Sequence, residues 1–232
     1  MTDTVGFLVS TLRDLGTRTV VDMGCGDGAI AEALVGAGFA VTGVEPAAEM
    51  LALARRRLPG AVLLKSRAED MDASAAAFDA AYFVNSLHHV AEARMRDALL
   101  NTARMIRPGG CLLVVEPMPE GSFFCAMRPV EDETAIRQAA ARTIDALVSE
   151  GLLQLHRVQR WDRESRFEGP DDFVACLTRV APERAALARD NADALADTWR
   201  DNARSVEGGA VLVQPMIGWV LAPPDGSQAP HS

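Results

Sequence analysis

Val20-Val21-Asp22-Met23-Gly24-Cys25-Gly26-Asp27-Gly28 is the stretch whose reading decides the fold. A β-branched run, Thr19-Val20-Val21-Asp22, leads into glycines at alternate positions, and residues 29–35 then have a helix-like composition. A strand that turns through glycines directly into a helix is the opening of a βαβ unit. Working outward, Val5, Leu8, Leu12 and Leu15 recur at helical spacing and predict a helix over 4–15. Strands are predicted at 39–44, 61–64, 78–84 and 111–115, with helices at 47–57 and 91–106 between them. Met95, Leu99, Ala103 and Ile106 share one face of the last helix, and Arg107-Pro108-Gly109-Gly110 stops it. The strand after it is apolar throughout, as a buried parallel strand should be.

The second half is less regular. Helices are expected over 131–149, 171–179 and 183–204, a strand within 152–166, and a final strand over 210–221. Pro215 and Gly218 interrupt that last strand and place it near an edge or at a bulge. The pattern predicts an α/β, doubly wound, mostly parallel Rossmann-like sheet in a single domain, 1–221. Its cofactor-binding half is 17–117, and 118–207 contains helical cap insertions (117–150 and 168–207) over the carboxyl edge, where open α/β sheets bind ligands. The tail 222–232 reads as disordered.

The chain has 232 residues, and 23 basic against 32 acidic residues give a net charge of −9. That balance argues against broad electrostatic binding to nucleic acid or anionic membrane. Lys65 is the only lysine. Cys25, Cys111, Cys125 and Cys176 are scattered, with no CxxC pair and no histidine at zinc-ligand spacing. This predicts a reduced, cytoplasmic setting. No stretch approaches the ~20 apolar residues of a membrane span.

Glu45 ends the second strand, where a carboxylate can accept two hydrogen bonds from a ribose diol. A nucleoside-carrying cofactor is therefore implied, against the plainer reading of a tight βα turn. The glycines run G-x-G-x-G, not G-x-G-x-x-G, and Asp22 stands two residues before the first. Asp22 and Asp27 would repel a diphosphate, but not the sulfonium and ammonium of S-adenosylmethionine. A nicotinamide-dependent oxidoreductase is the rival reading. The chain has no Tyr-x-x-x-Lys, and its one tyrosine, Tyr82, lies within a predicted strand.

Asp22-Met23-Gly24-Cys25-Gly26-Asp27-Gly28, with Val41-Thr42-Gly43-Val44-Glu45-Pro46 and Arg107-Pro108-Gly109-Gly110, resembles the class I S-adenosylmethionine-dependent methyltransferases. The nearest likeness is to the small-molecule group that includes the ubiquinone/menaquinone C-methyltransferases, and it covers roughly 17–117. The resemblance implies a seven-stranded sheet with an antiparallel last strand. It implies that Asp22, Gly24, Cys25, Gly26 and Gly28 form the cofactor loop, with Asp22 and the Gly24 and Gly26 backbone on the methionine part. Glu45 would take the ribose hydroxyls, and Pro46 would lie beside the adenine. Ala68 and Glu69, in Ser66-Arg67-Ala68-Glu69-Asp70, match the adenine-edge segment, and Asn85 would face the methyl group. Many relatives carry a longer N-terminal region closing over the cofactor, a task that 4–15 or the 117–150 insertion would perform here.

Methyl transfer is an in-line displacement on a sulfonium, so the protein chiefly orients the reactants and excludes water. A base is required only if the acceptor must lose a proton. Asn85-Ser86-Leu87-His88-His89-Val90 leaves the fourth strand beside the implied methyl position. His88 and, second, His89 are candidate bases, against the alternative that they pack or cap the next helix. Glu92 lies within a turn of both, but no further ligand motif completes a metal set, and no metal is expected. Glu116, ending the fifth strand, is a further candidate, as base, as partner of a cationic acceptor, or as a structural hydrogen-bond acceptor. Phe123, Phe124, Met127 and Arg128 read as packing under a helix or as a cover. Arg157, Arg160, Arg163 and Arg166 surround Trp161 and read as a solvated, ion-paired strand or as an anion trap. Asp197, Trp199 and Arg200 read as helix surface and core. Cys25 reads as a space-filler.

The expected activity is methyl transfer from S-adenosylmethionine to a small-molecule O, N, C or S nucleophile, releasing S-adenosylhomocysteine. A non-catalytic S-adenosylmethionine-binding regulatory protein and a methyl acceptor on a basic protein partner remain alternatives. No Asn-Pro-Pro-Tyr-like or Pro-Cys segment for nucleic-acid base methylation is present, and no membrane insertion is expected.

Overall fold

The fold was analysed in a computed structural model, which describes residues 3–71, 77–180 and 184–224. The predicted alternation is present. In order run α1 (Thr4–Asp14), β1 (Thr19–Met23), α2 (Ala29–Gly36), β2 (Ala40–Val44), α3 (Ala48–Arg57), β3 (Val62–Leu64), β4 (Phe78–Val84), α4 (Glu92–Arg104) and β5 (Ile106–Pro117). Then follow α5 (Ser122–Met127), α6 (Thr134–Ser149), β6 (Gln154–Phe167), α7 (Pro170–Val180), α8 (Arg184–Asp190), α9 (Ala192–Asn202), β7 (Arg204–Val206) and β8 (Gly209–Ala222).

The sheet order is β3-β2-β1-β4-β5-β8-β6, with short β7 pairing antiparallel to β8. β1 to β5 are mutually parallel. The path therefore has the seven strands expected, and β7 is an eighth. The chain divides into two compact units. One comprises the described parts of Met1–Glu116, Ala139–Gln159 and Ile217–Ser232, and the other Pro117–Gln138 and Arg160–Met216.

In the first unit, Asp3 caps α1 by accepting from the Gly6 amide at 2.6 Å. The helix buries Phe7, Leu8, Thr11 and Leu12, each large side chain contributing roughly 1.5–3 kcal/mol. α4 buries Met95, Ala98, Leu99, Thr102 and Ala103. Arg107-Pro108-Gly109-Gly110 does end α4, but it belongs to the start of β5. The register jumps there, with Phe78 opposite Ile106 and Ala80 opposite Cys111. Asp79 fastens the excursion, accepting from the Arg18 and Thr19 amides at 2.9 and 2.8 Å and pairing with Arg107 at 2.5 Å.

In the second unit, Phe167, Phe173, Leu177, Leu195 and Leu212 form the core, with Phe123 and Trp199 packed on it. The Phe167 and Phe173 rings meet edge to face at 5.3 Å. Phe123, Phe124 and Met127 are thus packing residues, and Arg128 pairs with Asp132 at 3.0 Å. Arg137 is buried against Glu133 and donates to the Met118 carbonyl at 3.1 Å.

One expectation is corrected. The helix predicted over 183–204 is two helices, broken at Asn191, whose side-chain amide donates back to the Leu187 carbonyl at 2.9 Å. The final strand is near an edge, as expected: β8 lies between β5 and the edge strand β6, and it runs unbroken through Pro215 and Gly218. Proline there costs a donor but keeps its carbonyl, which accepts from the Met118 amide at 2.9 Å. The tail expected to be disordered lies, from residue 225 on, outside the described residues.

Candidate functional site

The glycine loop is built by main-chain bonds from β1 onto β2. The Gly24 and Cys25 amides both donate to the Val44 carbonyl, at 2.8 and 3.0 Å. Gly24 adopts φ 79°, and a Cβ there would stand 2.7 Å from the Ser86 Cβ, so only glycine lets the loop after β4 approach. Ser86 completes the contact by donating its hydroxyl to the Met23 carbonyl at 2.7 Å. Gly26, at φ 55°, has nothing within 4 Å of a built Cβ and leaves an open cradle.

Glu45 is buried. It accepts from the Gly26 amide at 2.9 Å through one oxygen and from the Ala47 amide at 2.8 Å through the other. Each carboxylate oxygen retains a lone pair for a further donor. Pro46 beside it is exposed. Asp27 does not face the loop alone: Arg57 pairs with it at 2.8 Å and with Glu32 at 3.0 Å. The repulsion of a diphosphate therefore rests on Asp22 and Glu45 rather than on Asp27.

Asp22 stands at the end of β1, in register with Tyr82 of β4. Both are buried, and Asp22 Oδ2 has no hydrogen-bond partner among the described residues. Burial pushes the Asp22 carboxyl up to about 7; the Tyr82 phenol opposes that rise and the Glu45 charge adds to it. Asn85, one residue beyond β4, is the non-glycine residue with positive φ, at 51°, among those described. Its Oδ1 is likewise buried without a partner among them. Burial, with the Asp22 and Glu45 charges, pushes the Cys25 thiol up to about 12, which leaves it un-ionised and inert at neutral pH.

Ala68 and Glu69 form a buried 3₁₀ turn after β3. Asn101 of α4 secures the turn, donating to the Glu69 carbonyl at 2.8 Å, and Arg94 pairs with Asp70 at 3.1 Å. Arg67 lies 3.9 Å from the Glu69 carboxylate.

Glu116 occupies the end of β5 and is buried. One oxygen accepts from the Ser86 and Leu87 amides at 3.2 and 2.9 Å, and the other meets His88 Nδ1. His88 is buried and His89 exposed, with ring centroids 4.2 Å apart. Glu116 is therefore committed to shaping the loop that carries His88.

The fold thus gathers Asp22, Gly24, Cys25, Gly26, Gly28, Glu45 and Asn85 around the ends of β1, β2 and β4, with Ala68 and Glu69 following the adjacent β3. The sequence reading missed Ser86 and Asn101, whose roles are contacts with residues 63 and 32 positions away. The G-x-G-x-G loop hints at the first only in that a φ-positive glycine often marks a close neighbour. Of the arginine series, Arg157 meets the Thr11 hydroxyl and covers the Phe7 ring at 5.5 Å. Arg163 turns inward over Phe123 at 5.9 Å, and burial lowers its pKa.

A buried carboxylate with one oxygen, Asp22 Oδ2, and a buried amide oxygen, Asn85 Oδ1, unpartnered among the described residues, beside an open glycine cradle, fit the ammonium of an amino-acid ligand. They do not fit a phosphate.

Residues 20–110 match the family model of a methyltransferase domain. The uncharacterized methyltransferase Rv3342 of Mycobacterium tuberculosis is 36% identical over 107 residues, 46% of this chain and 43% of that protein. Rv0089, an uncharacterized methyltransferase of the same organism, is 36% identical over 110 residues, 47% of this chain and 55% of that protein. The chain thus spans about half the length of the curated relatives it matches. Among solved structures, YcgJ of Bacillus subtilis superposes with a TM-score of 0.66 at 17% identity, covering 94% of this chain and 97% of that one. The [4+2]-cyclase SpnF superposes with a TM-score of 0.62 at 18% identity, covering 94% and 81%. These likenesses establish the fold. No helix among the described residues is long and apolar enough to cross a membrane.

Proposed function

From the match of residues 20–110 to a methyltransferase domain, we propose that the chain is a class I S-adenosylmethionine-dependent methyltransferase that transfers a methyl group from S-adenosylmethionine to a small-molecule O, N, C or S nucleophile, releasing S-adenosylhomocysteine. The observation that carries this reading is the pair of buried oxygens, Asp22 Oδ2 and Asn85 Oδ1, that have no hydrogen-bond partner among the described residues. Asp22 holds the ammonium of the methionine part, and Asn85 orients that end. Gly24 and Gly26 bring backbone against it, with Cys25 and Gly28 shaping the loop. Glu45 accepts from the ribose hydroxyls with its remaining lone pairs while keeping Gly26 in place. Pro46, Ala68 and Glu69 flank the adenine.

The bound cofactor supplies an electrophilic methyl on a sulfonium. The protein's part is to align the acceptor and exclude water. His88 is the proposed base for an acceptor that must lose a proton. Glu116 is a positioning residue: through Ser86, Leu87 and His88 it sets where the imidazole stands. His89, exposed beside it, is placed to contact the acceptor. The methyltransferase match does not favour the nicotinamide reading.

Calorimetric titration with S-adenosylhomocysteine, with NADH as control, tests the proposal. Micromolar binding of the first alone supports it. Binding of NADH, or of neither ligand, overturns it. Methyl transfer from a tritiated donor to an acceptor panel then separates a catalyst from a protein that only binds.

A further inference from the structure

A cavity of about 830 Å³ opens in the first unit among α1, α4, β5, β6 and the end of β8. It is remote from the glycine loop. β5 enters it through Ile106 to Cys111, its amino end, whereas the cofactor residues stand at the carboxyl ends of the parallel strands. Five residue steps of strand separate Cys111 from Glu116, about 16 Å along the chain. The excursion that ends α4 forms part of its wall. Gly110 is required there, since a Cβ would lie 2.2 Å from the Asp79 carbonyl oxygen.

The wall is apolar at Leu100, Leu152 and Leu221 and carries two guanidinium groups, Arg104 and Arg157. Arg104 donates to the Asn101 side chain at 2.8 Å, and Arg157 meets Thr11 and the Phe7 ring. These partners are neutral. In a chain with nine more acids than bases, neither arginine has a carboxylate within ion-pair distance among the described residues. Arg157 is also steadied by its neighbours, so it loses less side-chain freedom when it meets an anion. Asp14 of α1 also lines the cavity and disfavours polyanions, which favours a ligand of low negative charge. The volume lies within the range of small-ligand sites.

We propose that this cavity binds an amphipathic monoanion, an aliphatic or aromatic carboxylate whose body lies on the leucines and whose charge meets Arg104 and Arg157. Its distance from the reacting end of the sheet makes it an additional site, not the acceptor site. The assignment is independent of the proposed methyl transfer.

Calorimetric titration of the full chain with sodium decanoate below its micelle concentration, against decylamine of the same length, tests it. The expected result is one decanoate per chain, bound at least about tenfold more tightly than the amine. Arg104→Gln and Arg157→Gln should each lower decanoate affinity by about tenfold, while S-adenosylhomocysteine binding stays as in the parent and reports an intact fold. Arg157→Gln removes the Thr11 contact as well, so Arg104→Gln decides the matter if that variant unfolds. Absence of decanoate binding, equal binding of the amine, or binding indifferent to Arg104→Gln overturns the proposal. So does a dimer in sedimentation that Arg104→Gln dissociates, which would give the cavity to a second copy of the chain.

Discussion

Asp22 and Asn85 stand at the carboxyl ends of two neighbouring parallel strands, and each buries a side-chain oxygen that no donor among the described residues satisfies. Such oxygens are costly to leave unpaired, about 1–3 kcal/mol each and more for a charge. The pair is therefore read as a half-built site that a cationic ligand completes.

The raised Asp22 pKa, about 7, makes binding depend on pH. A ligand ammonium needs the ionised carboxylate, whose population rises from pH 6 to pH 8. Affinity for S-adenosylhomocysteine should climb about tenfold across that interval and level off above it. Titrations in a series of buffers measure this. A flat profile would remove Asp22 from the ammonium site.

The same shift bears on stability. A carboxyl whose folded pKa lies above its unfolded value stabilises the fold fully below pH 4, and that contribution is lost as pH rises through 7. The ligand-free protein should thus lose up to about 4 kcal/mol over this window through Asp22. Asp22→Asn should raise Tm at pH 8 while abolishing micromolar S-adenosylhomocysteine binding. Thermal melts at pH 5 and pH 8 for both proteins give the answer, and an Asp22→Asn variant melting below the parent at pH 8 would contradict it.

Gly24→Ala should destabilise by a few kcal/mol, because the new Cβ meets Ser86 at 2.7 Å and the φ-positive backbone costs about 1 kcal/mol more. Ser86→Gly should recover part of the loss. A double-mutant cycle in urea measures the coupling, and strict additivity would show that the two residues do not touch.

Glu116→Ala should cost about 3 kcal/mol or more, since it strips the acceptor from two backbone amides and from His88 in a buried place. Glu116→Gln should retain much of that stability. Where an acceptor needing deprotonation is turned over, Glu116→Gln should lower kcat with little change in S-adenosylhomocysteine affinity. Loss of both together would make Glu116 a scaffold residue only.

The elements of the first half were legible in the sequence because they are local. β-branched runs, helical periodicity and breakers placed α1 to β5 within a few residues, and glycine spacing with Asp22 marked the loop, since backbone conformation and charge there depend on residues a few positions apart. Sequence could not show that Glu116 is spent on the loop after β4, that Ser86 leans on Gly24, or that Asp27 is answered by Arg57. These are contacts between strand ends and helices whose register is set by packing of the whole sheet. Nor could it show that β8 pairs between β5 and β6, because strand neighbours follow from pairing, not from the strand's own residues. The cavity belongs to the same class: Arg104 and Arg157 are 53 positions apart in sequence, and only the crossing of α4 and β6 brings them to one wall.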